Sequence, residues 1–102
     1  MNMHSLLKKC TGFEWDMHNA GKIWQKHGVS PTECEQIYFN RPLVFADDLK
    51  HSEEENRFYA LGKTDGRRLL FVVFTVRQDK IRVISARDMN RKERKAYYES
   101  DE

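Results

Sequence analysis

A chain of 102 residues that is 39% hydrophobic and 12% aromatic is too apolar to stay disordered, and at this length folding buries roughly two-thirds of the surface the unfolded chain exposes. One domain spanning residues 1–102 is expected. With 33% charged residues and no long apolar run a membrane span is excluded, and a net charge of +2 selects no partner by itself.

Met1 to Thr11 carries Lys8 and Lys9 but no apolar h-region, so no secretory signal is read and a cytoplasmic location is expected. Phe13-Glu14-Trp15 is a short strand candidate. Asp16 then serves as N-cap of a helix running to about His27, closed by Gly28. Ala20, Ile23, Trp24 and His27 recur at i, i+3, i+4 and i+7 and form its expected buried stripe. Ser30-Pro31-Thr32-Glu33 is a complete helix start: N-cap, proline in the first turn and a glutamate closing a capping box. That second helix is expected to bury Cys34, Ile37 and Tyr38 and to end at Asn40-Arg41-Pro42.

Leu43 to Ala46 reads as a short strand, followed by an acidic loop. Three more strands follow, Arg57 to Lys63, Leu69 to Val76 and Ile81 to Ala86. The turns between them, Thr64-Asp65-Gly66 and Arg77 to Lys80, are short enough to make antiparallel hairpins. The run from Leu69 to Val76 is apolar on both alternating faces, the pattern of a central strand covered on both sides. Asn90 and Glu93 repeat the capping box at the head of a last helix, Arg91 to about Glu99. The fold class is therefore α+β: a twisted antiparallel sheet, a meander of the last three to four strands, with helices over one face, two of them N-terminal and one C-terminal.

Cys10 and Cys34 form neither a CxxC pair nor a disulfide framework, and His4, His18, His27 and His51 are scattered without metal-ligand spacing. No metal and no cofactor is expected. Charge, by contrast, is segregated. Asp47 to Asn56 holds Asp47, Asp48, Glu53, Glu54 and Glu55 against Lys50, whereas Arg77 to Lys95 carries a local net of +5. A solvated terminal helix produces such a run routinely. It is also a plausible nucleic-acid footprint, with Arg77, Lys80, Arg91, Arg94, Lys95 and Tyr98 as its candidate contacts.

Several of these segments together resemble one family. They are Phe13-Glu14-Trp15-Asp16, Lys26-His27-Gly28-Val29-Ser30, His51-Ser52 with Glu55-x-Arg57-Phe58, Arg68-x-Leu70, and Arg82-Val83-Ile84-Ser85-Ala86-Arg87 followed by Arg91-x-Glu93-Arg94-x-x-Tyr97. In this order and spacing they resemble the BrnT family over nearly the whole chain. At Asn19 and Ile23 the sequence departs from the lysine and asparagine that members usually carry. The resemblance implies a ribonuclease toxin of a type II toxin–antitoxin pair, with a RelE-like fold. It also implies neutralisation by a BrnA-like antitoxin and contact with operator DNA only through the antitoxin complex.

RNA cleavage of this class needs activation of a 2′-hydroxyl, stabilisation of the phosphorane and protonation of the leaving 5′-oxygen. Arg57, Arg82 and Arg87, at or near strand ends, are the candidate phosphate clamp. His27, His51, Glu54, Glu55 and Tyr98 are the candidates for proton transfer. Each has a structural alternative. His27 suits a core histidine or a cationic helix cap, and Glu53 to Glu55 a solvated loop in which Glu55 orients Arg57. Arg87 suits an ion pair with Asp88 or Glu93 that fastens the last helix. Of Tyr97 and Tyr98, at most one can face the sheet. The competing functional reading is a non-catalytic module that grips RNA or serves as an antitoxin-docking face.

Overall fold

The computed structural model describes residues 3–48 and 55–100. A short helix α1 (Met3–Lys8), which the N-terminal sequence did not suggest, precedes β1 (Gly12–Glu14) and α2 (Met17–His27). The capping chemistry read from sequence is present. The Asp16 carboxylate accepts from the backbone N–H groups of His18 and Asn19, and Gly28 ends α2 in the left-handed region, its N–H on the Trp24 carbonyl. Helix α3 (Pro31–Gln36) carries the reciprocal Ser30–Glu33 box and tightens into a 3₁₀ turn over Ile37–Phe39. Helix α4 (Arg91–Tyr98) repeats the box with Asn90 and Glu93.

The strands β2 (Val44–Asp47), β3 (Phe58–Lys63), β4 (Leu69–Arg77) and β5 (Lys80–Asp88) join β1 in one sheet of order β1-β5-β4-β3-β2. The meander from β2 to β5 is antiparallel, as expected. The wholly antiparallel sheet is corrected at one edge, where β1 runs parallel to β5 with Phe13 opposite Ile81 and Glu14 opposite Arg82. The Thr11 N–H donates to the Asp79 carbonyl at 2.7 Å and so hangs β1 beside the start of β5. Asp79 and Gln78, both left-handed, are the two-residue turn of the β4–β5 hairpin.

Alternation slips within β5. Val73 pairs with Ser85 but Phe74 pairs with Val83, which leaves Ile84 as the extra residue of a bulge. Asn19 fills the opening, its side-chain amide donating to the carbonyls of Val83 and Ile84 at 3.0 Å each. This contact sets the rotation of α2. With Asn19 turned to β5, Ala20 and Ile23 are buried as expected, but Trp24 is 57% exposed rather than part of the buried stripe.

One sheet face, including Phe58, Ala60, Leu70, Val72 and Phe74, packs against Ile23, Val29, Cys34 and Ile37 beneath α2 and α3. Burial pushes the Cys34 thiol up to about 12, which makes it inert at neutral pH. On the other face Leu61, Met89 and Tyr97 form a second cluster with Leu69 and Phe71. Helix α4 therefore lies opposite α2, not on the same side. The expectation of helices over one face, and of a β4 fully covered on both, is corrected accordingly: Leu70, Val72 and Phe74 are buried, while Phe71 and Val73 are half-buried. Tyr97 is the tyrosine that turns inward, its hydroxyl donating to the Pro42 carbonyl at 2.7 Å.

Gly62 marks the tightest approach between β3 and the 3₁₀ turn. A Cβ there would lie 2.7 Å from the Ile37 Cβ, a clash against a fully buried neighbour. Gly62→Ala is expected to cost roughly 1–3 kcal/mol. An unchanged denaturation midpoint would show that the turn can retreat freely.

Candidate active site

The sheet end nearest the β1–α2 junction gathers three of the arginines, Arg57, Arg77 and Arg82. Glu14, Arg82 and Thr75 are successive partners across β1, β5 and β4. Arg57 immediately precedes Phe58, the partner of Phe74, and so stands across from Thr75. The Thr75 hydroxyl, buried, donates to the Asn56 carbonyl at 2.7 Å and fixes the chain as it enters β3. Arg82 lies between two carboxylates, Glu14 and Asp16, at 3.7 Å from each. At that separation these are Coulombic contacts without good hydrogen-bond geometry.

Glu55 stands amid this group. It accepts from Nε and Nη2 of Arg77, both at 3.0 Å. The Arg77 bonds chiefly, and then the charges of Arg77, Arg82 and Arg57, hold the Glu55 carboxyl below its ordinary range. Arg57, Arg77, Arg82 and Glu55 are thus brought together. The sequence placed Glu55 beside Arg57; its pairing with Arg77 depends on the β3–β4 register.

Arg87 is elsewhere. It pairs with Phe71, four residues along β4 from Thr75, roughly 13 Å away at strand spacing. Its guanidinium lies 4.2 Å over the Phe71 ring and makes a forked pair to Glu93 at 2.8 and 2.9 Å. This is the ion pair that fastens α4.

His27 is separated from the arginine cluster as well. Its carbonyl and that of Gly28 accept from Arg68, which also forks onto Asp88 (2.7 and 3.1 Å) and reaches Glu33 at 3.2 Å. Arg68 holds the Asp88 carboxyl below its usual range, and the nearby His27 lowers it further. This knot joins the end of α2, the start of α3 and the β4–β5 pair. The sequence signal for it was only the Arg68-x-Leu70 motif, in which nothing distinguished Arg68 from a solvated turn residue.

Among the remaining candidates, Arg91, Lys95 and Tyr98 are exposed on α4, and Lys80 is exposed at the head of β5. Arg94 reaches back to the Met89 carbonyl at 2.8 Å. His51 and Glu54 lie outside the described residues. Among the described residues no group of three His, Cys, Asp or Glu side chains converges as a metal site, and no helix is long and apolar enough to cross a membrane.

The structure is similar to the 1.1 Å crystal structure of the Brucella abortus ribonuclease toxin BrnT. The TM-score is 0.62 at 20% identity, over 79% of this chain and 99% of that one; this establishes a shared fold. Comparison with curated protein sequences finds no match. The family model described as the ribonuclease toxin BrnT of type II toxin–antitoxin systems matches residues 15–93, a span that takes in α2, the whole meander and the first residues of α4. The chain belongs to the BrnT family of ribonuclease toxins of type II toxin–antitoxin systems.

Proposed function

We propose that the chain is a metal-independent endoribonuclease that cleaves cellular RNA and thereby stops translation and growth. The observation that carries this reading is the convergence of Arg57, Arg77 and Arg82 on Glu55 at one end of the sheet. Guanidinium groups supply the charge that a phosphorane needs, and their forked geometry suits its oxygens. Arg82, 3.7 Å from Glu14 and Asp16, is held more loosely than Arg77, which forks onto Glu55 at 3.0 Å, and is the more readily redirected to a phosphate.

In this scheme the scissile phosphate enters between Arg57 and Arg82 and competes with Glu55 for Arg77. Glu55, a weak base while paired, gains basicity as Arg77 turns to the phosphate. It then accepts the proton of the 2′-hydroxyl as that oxygen attacks phosphorus. The P–O5′ bond breaks, the leaving 5′-oxygen takes a proton from water, and a 2′,3′-cyclic phosphate and a 5′-hydroxyl remain. His27, within the Arg68 knot, serves as a helix-end group.

A type II toxin has a protein antitoxin, here a BrnA-like chain whose acidic or amphipathic segment covers the basic rim by charge and occupation together. Operator DNA is contacted through that complex. The forked self-pairing of Arg77 and Arg87 favours the second reading, a docking module without turnover.

Induction in cells with growth and bulk RNA followed together, and incubation of the purified chain with RNA in the presence of EDTA, separates the two. Growth arrest with RNA loss, and EDTA-resistant cleavage, is the expected result. Intact growth and RNA would leave the docking module.

A further inference from the structure

We propose that Tyr59, half-buried on the sheet face opposite α2 and between the two arginine positions, is a substrate-positioning residue that stacks on a nucleobase of the bound RNA. The inference rests on the ribonuclease reading and deepens it. Tyr59 pairs with Val73 on one side and Ala46 on the other, and Val73 in turn pairs with Ser85. Every neighbour in that row is smaller than the ring, which is half-buried. One face of its ring stacks against Phe71, with centroids 5.5 Å apart and planes 23° from parallel. Phe71 is itself anchored in the cluster of Leu61, Met89 and Tyr97 and roofed by Arg87 at 4.2 Å. The result is a flat aromatic surface backed by fixed side chains.

The placement of charge selects RNA as its occupant. The Val73 row lies between the row of Thr75 and Arg82 and the row of Phe71 and Arg87. A strand crossing the face thus meets the cluster of Arg57, Arg77 and Arg82 at one end and an aromatic ring beside it, while Arg87 at the other is committed to Glu93; phosphate-binding groups next to a π-face are the combination that single-stranded nucleic acid requires. Stacking on a ring pre-ordered by its neighbours loses little conformational entropy.

The test uses the full-length chain and a fluorescein-labelled 2′-O-methyl oligoribonucleotide, which lacks the attacking hydroxyl and is bound without cleavage. Tyr59→Leu is expected to weaken binding roughly tenfold to a hundredfold, with the salt dependence unchanged because no phosphate contact is lost. Tyr59→Phe is expected to bind within about twofold of the unmodified chain, since the ring alone stacks. Both variants should keep the thermal midpoint; if Tyr59→Leu does not fold, Tyr59→Thr, β-branched and suited to a strand but without a ring, replaces it with the same expected loss of binding.

Equal binding by Tyr59→Leu overturns the assignment, as does a loss in Tyr59→Phe as large as in Tyr59→Leu. RNA binding left intact while antitoxin affinity falls assigns the surface to the antitoxin and overturns it too. Tyr59-dependent binding by a chain that cleaves no ordinary RNA would remove the ribonuclease and keep the platform. Cleavage with Tyr59-independent binding would remove the platform alone.

Discussion

Arg82→Ala is expected to lower RNA cleavage by roughly a hundredfold or more, the effect of about 3 kcal/mol of lost transition-state stabilisation, and to abolish growth arrest while leaving the fold intact. Stability should barely change. The pairs of Arg82 with Glu14 and Asp16 are 3.7 Å long and their carboxylates are exposed, and such pairs contribute about 0–1 kcal/mol. Arg82→Lys should recover only part of the activity, because an ammonium lacks the planar fork. The same truncation at Arg87 gives a useful contrast, because its forked pair to Glu93 holds α4 and its guanidinium covers Phe71. Arg87→Ala should lower the thermal midpoint as well as activity. Full toxicity in Arg82→Ala would remove Arg82 from the phosphate clamp.

Arg68→Met is expected to be the most destabilising substitution of a charged residue in the chain, at roughly 2–3 kcal/mol, or a fall of about 10–20 °C in the midpoint. The loss stays modest because Asp88 is largely exposed, and surface ion pairs contribute little. The weight falls on the hydrogen bonds to the carbonyls of His27 and Gly28 and to half-buried Glu33. Without Arg68, the end of α2 and the start of α3 lose their tie to β4 and β5.

The loss also changes the pH dependence. The Asp88 carboxyl is held below its ordinary range chiefly by Arg68, and the Glu33 carboxyl first by the Ser30 backbone N–H and then by Arg68. A carboxylate whose folded pKa is depressed stabilises the protein above its unfolded value, about 4, and loses that contribution as the pH falls through the folded value. The unmodified chain should therefore lose stability more steeply than Arg68→Met as pH drops below about 4.5. Urea midpoints across pH 3–7 measure this, and parallel curves would show that the knot carries no linked protonation.

Much of the fold was legible because its signals are local. Asp16, Ser30 and Asn90 cap helices through backbone groups two or three residues away, and the Gln78–Asp79 turn closes a hairpin between adjacent strands. Trp24 was misplaced because periodicity defines a stripe without saying which edge of it turns inward; the Asn19 contact to the β5 bulge decides that. The candidate site was half legible. Arginines at strand ends stand out in the sequence, but their separation into a cluster around Glu55 and a distant Arg87 depends on register.

The sequence by itself determined the α+β class, the starts of α2, α3 and α4, the meander and, through motifs spread along most of the chain, the family. Capping and pairing between neighbouring segments act within a few residues, so composition and spacing reveal them. Only the tertiary structure decided that β1 pairs in parallel with β5, that α4 lies on the face opposite α2, that Arg68 ties three elements, and that Tyr59 stands between two arginine positions. These depend on contacts between residues distant in sequence. A one-residue bulge in β5 is enough to choose which side chains share a face.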